Sequence, residues 1–82
     1  MTAAEKKIAA MRNNPRDWRI EDLEAVARQH GVNIRKPGGS HVVFEHPAVS
    51  EGVTVPARKP IKAIYVIRFV AMLDSLKDKT DD

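Results

Sequence analysis

The spacing of apolar residues changes from helical to alternating at Gly31, and this change constrains the fold more than any other feature of the chain. Before it, apolar residues recur every three or four positions, at Ile20, Leu23, Val26 and Ala27. This spacing predicts a helix with one buried face. After it, Val32 and Ile34 alternate with polar residues, as in a half-buried strand. Gly31 suits the left-handed conformation in which many helices end.

The other segments extend this pattern to the order helix, helix, strand, strand, strand, helix. We predict helices over residues 2–13 and 19–30, strands over 32–35, 40–45 and 53–55, and a last helix that begins between Pro60 and Ile64 and ends near Leu76. Pro37–Gly39 is expected to form the first turn. Sequential antiparallel strands with helices on one face make a two-layered α+β fold, with the other sheet face open to solvent.

Size and composition limit the class of protein. The chain has 82 residues and no cysteine, so we expect one domain over residues 1–82 without disulfides or a thiol nucleophile. No apolar run approaches the roughly 20 residues of a membrane span, and residues 1–11 lack the apolar core of a signal peptide. A cytoplasmic location is expected. The polar residues 77–82 are expected to fray.

The charge is distributed unevenly. The net charge is only +3, but residues 35–68 contain six basic and two acidic side chains. A basic segment with few acids suits a polyanionic partner such as RNA. Judged by composition alone, an ordinary solvated surface is the simpler explanation.

Two of the three histidines have structural explanations. His30 is placed at a helix C-terminus, where an imidazolium meets the negative end of the helix dipole. His46 precedes Pro47 at the end of a strand and is expected in a surface loop. No two histidines have the i, i+4 spacing of a helical metal site and cysteine is absent, so we expect no metal centre and no cofactor.

His41 differs because it follows Gly38-Gly39-Ser40 and opens the second strand. If Val42 and Phe44 face the core, strand alternation directs His41 and Val43 to the open face. Glycine N–H groups can approach a phosphate closely. From these residues alone, an unremarkable surface histidine is still the more common outcome.

Four stretches together resemble the HicA (YcfA-like) toxin family. They are the G-S-H strand start Gly39–His41, the strand and H-P loop Val42–Pro47, the short strand Val53–Pro56, and Lys59–Val66, which is similar to the family's K-P-x-K-P-x-Y-V sequence before its last helix. The likeness covers about residues 12–73. It departs from the family at Ala63, where a second proline is common, and at Ile67-Arg68, where a more basic pair is common.

The resemblance implies a fold like that of a double-stranded-RNA-binding domain and an endoribonuclease that cleaves messenger RNA without a metal. It implies that His41 is catalytic. The partner would be a HicB-type antitoxin that covers the active face, so the chain would be a monomer when free and part of a hetero-oligomer when neutralised.

The chemistry requires little more than a proton acceptor and cations. The ribose 2′-hydroxyl attacks the adjacent phosphorus once a base removes its proton, and histidine exchanges protons near neutral pH. Cations hold the strand and stabilise the charge that develops on phosphorus. The predicted RNA-binding residues are Gly39, Ser40, Arg35, Lys36, Arg58, Lys59 and Lys62. The sequence does not decide whether His41 is base or acid.

Two other functions remain open at this point. An RNA-binding module without chemistry would need the basic residues but not His41. A protein-interaction domain would instead dock through an exposed apolar last helix, at Ile64, Val66 and Ile67. Apolar residues on several sides of this helix, with Val43 on the open sheet face, suggest a partner surface. Alternatively the helix packs on Ile8 and Met11, and then residues 1–12 are needed for folding.

Overall fold

The computed structural model describes residues 2–80 and has the six elements in the expected order. They are α1 (Ala3–Asn13), α2 (Ile20–Gln29), β1 (Asn33–Gly38), β2 (His41–Glu45), β3 (Val53–Pro56) and α3 (Ala63–Thr80). The α+β class and the three-stranded antiparallel sheet are confirmed. The Cα radius of gyration is 11.9 Å, close to the value of about 11.7 Å for a compact domain of this length.

The central strand of the sheet is β2, which pairs with β1 on one side and β3 on the other. Phe44 lies opposite Ile34 in β1 and Val53 in β3, so these apolar residues share one face. The predicted turn at Pro37–Gly39 is wrong in its position, because β1 continues to Gly38 and the turn falls on the next two residues. A register irregularity between Arg35 and Gly38 accommodates Pro37, which has no N–H to donate.

The helices cover one face of the sheet and enclose the core. Phe44 in β2 is fully buried and packs against Phe69 in α3, with ring centroids 4.9 Å apart and ring planes inclined by 56°. Leu23 and Val26 from α2 are also fully buried in this core. The apolar stripe of α2 and the core face of β2 are therefore confirmed.

The broad apolar surface of α3 is mostly internal. Its buried residues are Val66, Phe69, Val70, Met72, Leu73 and Leu76. Among the described residues, Ile64 and Ile67 are the exposed large hydrophobic ones, at 48% and 52%. The expectation that Val66 is available to a partner is wrong, because α3 packs between the sheet and α1 and so buries more than one side.

Val43 is another correction. We expected it to be exposed on the open sheet face, but it is only 8% exposed. It lies outside the helix-facing core, between Arg35 and Thr54 on the neighbouring strands. Gly52 also approaches it, since a Cβ on that glycine would lie 3.6 Å from Val43 Cγ1. The neighbouring strands and the close approach of Gly52 therefore account for the burial of this valine.

Both ends of α1 are fixed. Thr2 caps the helix by accepting a hydrogen bond from the Glu5 N–H at 3.1 Å. At the other end, Arg12 donates two hydrogen bonds to Asp74 of α3, at 2.8 and 2.9 Å. These hydrogen bonds lower the pKa of Asp74. The pair therefore contributes stability at pH values above the ordinary pKa of a carboxyl group, and this contribution is lost as the pH falls through the lowered pKa of Asp74. Both side chains are about half exposed, so water screens the pair and its contribution is small.

The last helix is longer than predicted. It continues to Thr80 instead of ending near Leu76, so residues 77–80 of the expected frayed tail are helical. The rest of that tail, residues 81–82, lies outside the described residues. None of the helices within residues 2–80 is both long enough and apolar enough to cross a membrane.

Met11 tests whether α1 belongs to the core. It is 1% exposed, so Met11→Ala should lower the free energy of unfolding by about 2–5 kcal/mol, the usual cost of a cavity of this kind. Lys6→Ala is the matched control, because Lys6 is exposed on the same helix. Its effect should stay within about 0.5 kcal/mol in urea unfolding. Equal unfolding midpoints for the two variants would show that α1 is dispensable.

Candidate functional site

A groove of about 400 Å³ opens where the start of β2, the end of β3 and the start of α3 meet. It is lined by Ser40, His41, Pro56, Arg58, Lys59, Pro60, Lys62 and Tyr65. Five of the predicted site residues are therefore found together, namely Ser40, His41, Arg58, Lys59 and Lys62. The groove joins the glycine turn to the segment before the last helix.

His41 is the first residue of β2 and lies between Gly38 of β1 and Pro56 of β3. The next residue, Val42, is buried in the core and fixes the strand. The His41 side chain is exposed, and none of the side chains that the structure describes, up to residue 77, forms a hydrogen bond with its imidazole. Both ring nitrogens are therefore free to meet a ligand.

The turn before His41 needs glycine. Gly38 and Gly39 have φ angles of 129° and 64°, which L side chains rarely adopt. Gly39 does not line the groove, but it directs the chain through Ser40, which does. A side chain at either glycine would strain the turn that presents His41.

The segment that carries the cations is attached on both sides. The Ala57 N–H donates to the Ser40 carbonyl, and the Arg58 N–H donates to the Pro56 carbonyl at 2.9 Å. Ile61 is buried, and its N–H donates to the Trp18 carbonyl at 2.9 Å. The Ala57–Ser40 hydrogen bond thus ties this segment to the glycine turn, and Ile61 ties its other end to Trp18, before α2.

The groove is cationic. Among the described residues that line it, three are basic and none is acidic; the basic ones are Arg58, Lys59 and Lys62. All three are exposed, and the ion pairs formed among the side chains described up to residue 77 include none of them. Their positive charge is therefore available to an anion.

Arg35 and Lys36, also predicted to bind RNA, lie outside this groove. Arg35 donates to Glu45 Oε1 from Nε at 3.1 Å and from a terminal nitrogen at 2.8 Å. Lys36 Nζ lies 2.9 Å from Glu24 Oε2 and forms an ion pair with it. This buried oxygen accepts no hydrogen bond within the described part of the chain, so the charge of Lys36 is its main compensation. Each cation thus neutralises a carboxylate of the same chain.

Tyr65 is a groove residue that the sequence analysis did not select. It is half-buried on α3, and the Arg68 guanidinium carbon lies 6.0 Å from the centre of its ring. Its position three residues after Lys62 was an available signal, because residues three apart share a side of a helix. It also lies within the stretch that resembles the HicA family.

The other two histidines support local structure. His30 Nδ1 lies 3.1 Å from the Val26 carbonyl at the end of α2, and His46 Nδ1 accepts a hydrogen bond from the Ala48 N–H at 3.0 Å. Both line a second cavity of about 490 Å³, on the side of the molecule formed by α1 and α3. Within residues 2–80, no group of three or more metal-ligating side chains is placed to hold an ion.

Lys36 is expected to affect stability. Glu24 is 7% exposed, so Lys36→Ala leaves a buried carboxylate without its cation and should cost about 1–3 kcal/mol in free energy of unfolding. Adding Glu24→Gln should recover part of this loss, since an amide is cheaper to bury than a charge. Lys7→Ala breaks the pair with Asp22, whose carboxylate is more exposed than that of Glu24, and serves as the control. If the Lys7 and Lys36 variants unfold at the same urea concentration, the Glu24 pair is not structural.

We compared the chain with protein-family models, with curated proteins and with solved structures, and none of the three comparisons gives a significant match.

Proposed function

We propose that this chain is an endoribonuclease of the HicA type, which cleaves messenger RNA and acts as the toxin of a toxin–antitoxin pair. One observation carries the proposal: an exposed histidine and three unpaired cations line the same groove, with no carboxylate among the described lining residues. A histidine surrounded by cations suits an anionic substrate that reacts by proton transfer.

The proposed reaction uses the nucleophile that RNA carries. His41 exchanges the proton of the 2′-hydroxyl, whose oxygen attacks the neighbouring phosphorus. The bond to the 5′-oxygen then breaks, leaving a 2′,3′-cyclic phosphate and a 5′-hydroxyl. Arg58, Lys59 and Lys62 stabilise the charge on the phosphorus oxygens, and the Ser40 turn positions the scissile phosphate. No step in this scheme requires a metal ion.

The proposal extends to the fold type. The order α2–β1–β2–β3–α3 is that of a double-stranded-RNA-binding domain, and the three-stranded antiparallel sheet with helices on one face supports this likeness. In this scheme α1 is an addition that covers one side of α3.

The proposed partner is a HicB-type antitoxin. Ile64 and Ile67 are exposed on α3, the helix that contributes Tyr65 to the groove. An antitoxin that covers these isoleucines and presents acidic side chains to the cations would block RNA by direct competition. The free chain is then a cytoplasmic monomer.

Replacement of His41 tests the catalytic assignment. Induced expression of the wild-type chain should stop growth and degrade messenger RNA, and co-expression of the antitoxin should relieve both effects. His41→Ala should abolish both effects, because the proton acceptor is lost, and should lower cleavage by purified protein about 10²–10⁴-fold. Its urea unfolding should match the wild type, since His41 is exposed. EDTA should leave wild-type cleavage unchanged.

His30→Ala is the matched control, because it removes a histidine that does not line the groove. It should cleave at the wild-type rate. Full activity in the His41 variant would favour an RNA-binding module without chemistry. Activity that EDTA removes and one divalent ion restores would contradict the metal-free scheme.

Salt dependence tests the electrostatic contribution of the groove. Three phosphate contacts predict a slope of about −2 in log affinity against log salt, so a fourfold rise in salt should weaken single-stranded RNA binding roughly twentyfold. Lys59→Glu or Lys62→Glu should lower the affinity for RNA of any sequence. Each should also make the slope shallower by about 0.7, the contribution of one phosphate contact. Binding is measured in the His41→Ala background to prevent cleavage.

Lys6→Glu is the control, because it makes the same change in net charge on α1, away from the lining residues. Its affinity should stay near that of the parent. Equal losses of RNA affinity in the Lys6→Glu and Lys59→Glu variants would mean that the overall charge of the chain, and not the groove, attracts RNA. An affinity that does not vary with salt would favour the protein-interaction function.

A further inference from the structure

The groove contains a second group suited to proton transfer. Tyr65 lies on α3 and lines the same groove as His41, which lies at the start of β2. Its phenol oxygen forms no hydrogen bond with the side chains described up to residue 77 or with the described backbone, although the residue is half-buried. Its hydroxyl is therefore a donor without a partner, in the same groove as the exposed imidazole.

Cleavage by the 2′-hydroxyl involves two proton movements. One proton leaves the attacking oxygen, and another must reach the departing 5′-oxygen, which is a poor leaving group as an alkoxide. A single imidazole that accepts the first proton cannot deliver the second in the same step unless it lies between both oxygens. A separate donor on the opposite side of the phosphate suits the in-line geometry of such a displacement.

The other groove residues suit this role less well. Arg58 does not give up its proton in proteins, and the aliphatic hydroxyl of Ser40 is a weaker acid than a phenol. Lys59 and Lys62 are exposed on long flexible stems. Tyr65 is held more firmly, because it is half-buried on a helix and its ring faces the Arg68 guanidinium. A donor with a fixed position transfers a proton more effectively.

We propose that Tyr65 is the general acid of this groove and protonates the 5′-oxygen, with His41 as the base; this rests on the proposed endoribonuclease function. His41 accepts the 2′-hydroxyl proton as the 2′-oxygen bonds to phosphorus. The bond from phosphorus to the 5′-oxygen breaks as the Tyr65 hydroxyl gives its proton to that oxygen. The three cations of the groove stabilise the phenolate, which regains a proton from the imidazolium through water.

The ring of Tyr65 has another use that must be separated from its hydroxyl. Aromatic side chains stack on unpaired bases in many single-strand-binding proteins, and this contact needs only the ring. Tyr65→Phe keeps the ring and removes the hydroxyl, so it isolates the proton donor. Tyr65→Ala removes both. Lys62→Arg tests whether this lysine is the proton donor instead, because arginine keeps the positive charge but does not release its proton.

The experiment measures single-turnover cleavage of one RNA whose cleaved bond has been mapped, and of the same RNA with sulfur in place of the bridging 5′-oxygen at that bond. A thiolate leaves without protonation, so this substrate does not need a general acid. Tyr65→Phe should cleave the natural RNA about 10²–10⁴-fold more slowly than the wild type. Because a thiolate needs no proton to leave, Tyr65→Phe should cleave the sulfur-containing RNA at a rate within about tenfold of the wild-type rate. His41→Ala should be slow on both substrates, and Lys62→Arg should show no selective rescue by sulfur.

Binding is measured with RNA that has a 2′-deoxyribose at the cleaved position, which removes the nucleophile. Tyr65→Phe should bind it within twofold of the wild type, whereas Tyr65→Ala also loses any stacking. Wild-type cleavage by the Phe variant would overturn the inference, and so would slow cleavage that sulfur does not rescue. Both results leave the proposed function intact if His41→Ala is inactive. A wild-type chain that cleaves neither RNA would overturn the proposed function and this inference with it.

Discussion

The contact between Phe44 of β2 and Phe69 of α3 holds together the two elements on which the groove depends. Both rings are fully buried, with centroids 4.9 Å apart. His41 precedes Phe44 by three residues on its strand, and Tyr65 precedes Phe69 by one helical turn. The core contact therefore holds together the strand that carries His41 and the helix that carries Tyr65, and loss of either ring would disturb the site through the scaffold.

Six of the fourteen basic residues fall into two groups with different physical roles. Arg35, Lys36 and Arg12 each contact a carboxylate of the same chain, and Lys36 compensates one that is almost buried. Arg58, Lys59 and Lys62 have no such partner within residues 2–80 and surround the groove. Charge composition treats all six residues alike. Their neighbours in space distinguish cations that maintain the fold from cations that are free to bind an anion.

The sequence predicted the order of elements and the core face of β2, because helical and alternating periods are local properties of the chain. It failed where burial depends on distant residues. Val66 and Val43 were expected to be exposed, but α1 and the sheet bury more than one side of α3, and the neighbouring strands cover Val43. The strand position of Pro37 was missed because a register irregularity, which depends on pairing with β2, accommodates it.

The sequence by itself determined the α+β class, the glycine turn before His41 and the basic character of residues 35–68, since each follows from residue types at fixed spacing. Only the tertiary structure decided which of those residues share a groove. It brought Tyr65 into that groove and directed Lys36 to Glu24. The physical reason is that a site is defined by distances between residues far apart in the chain, and these distances are set by the packing of β2 against α3.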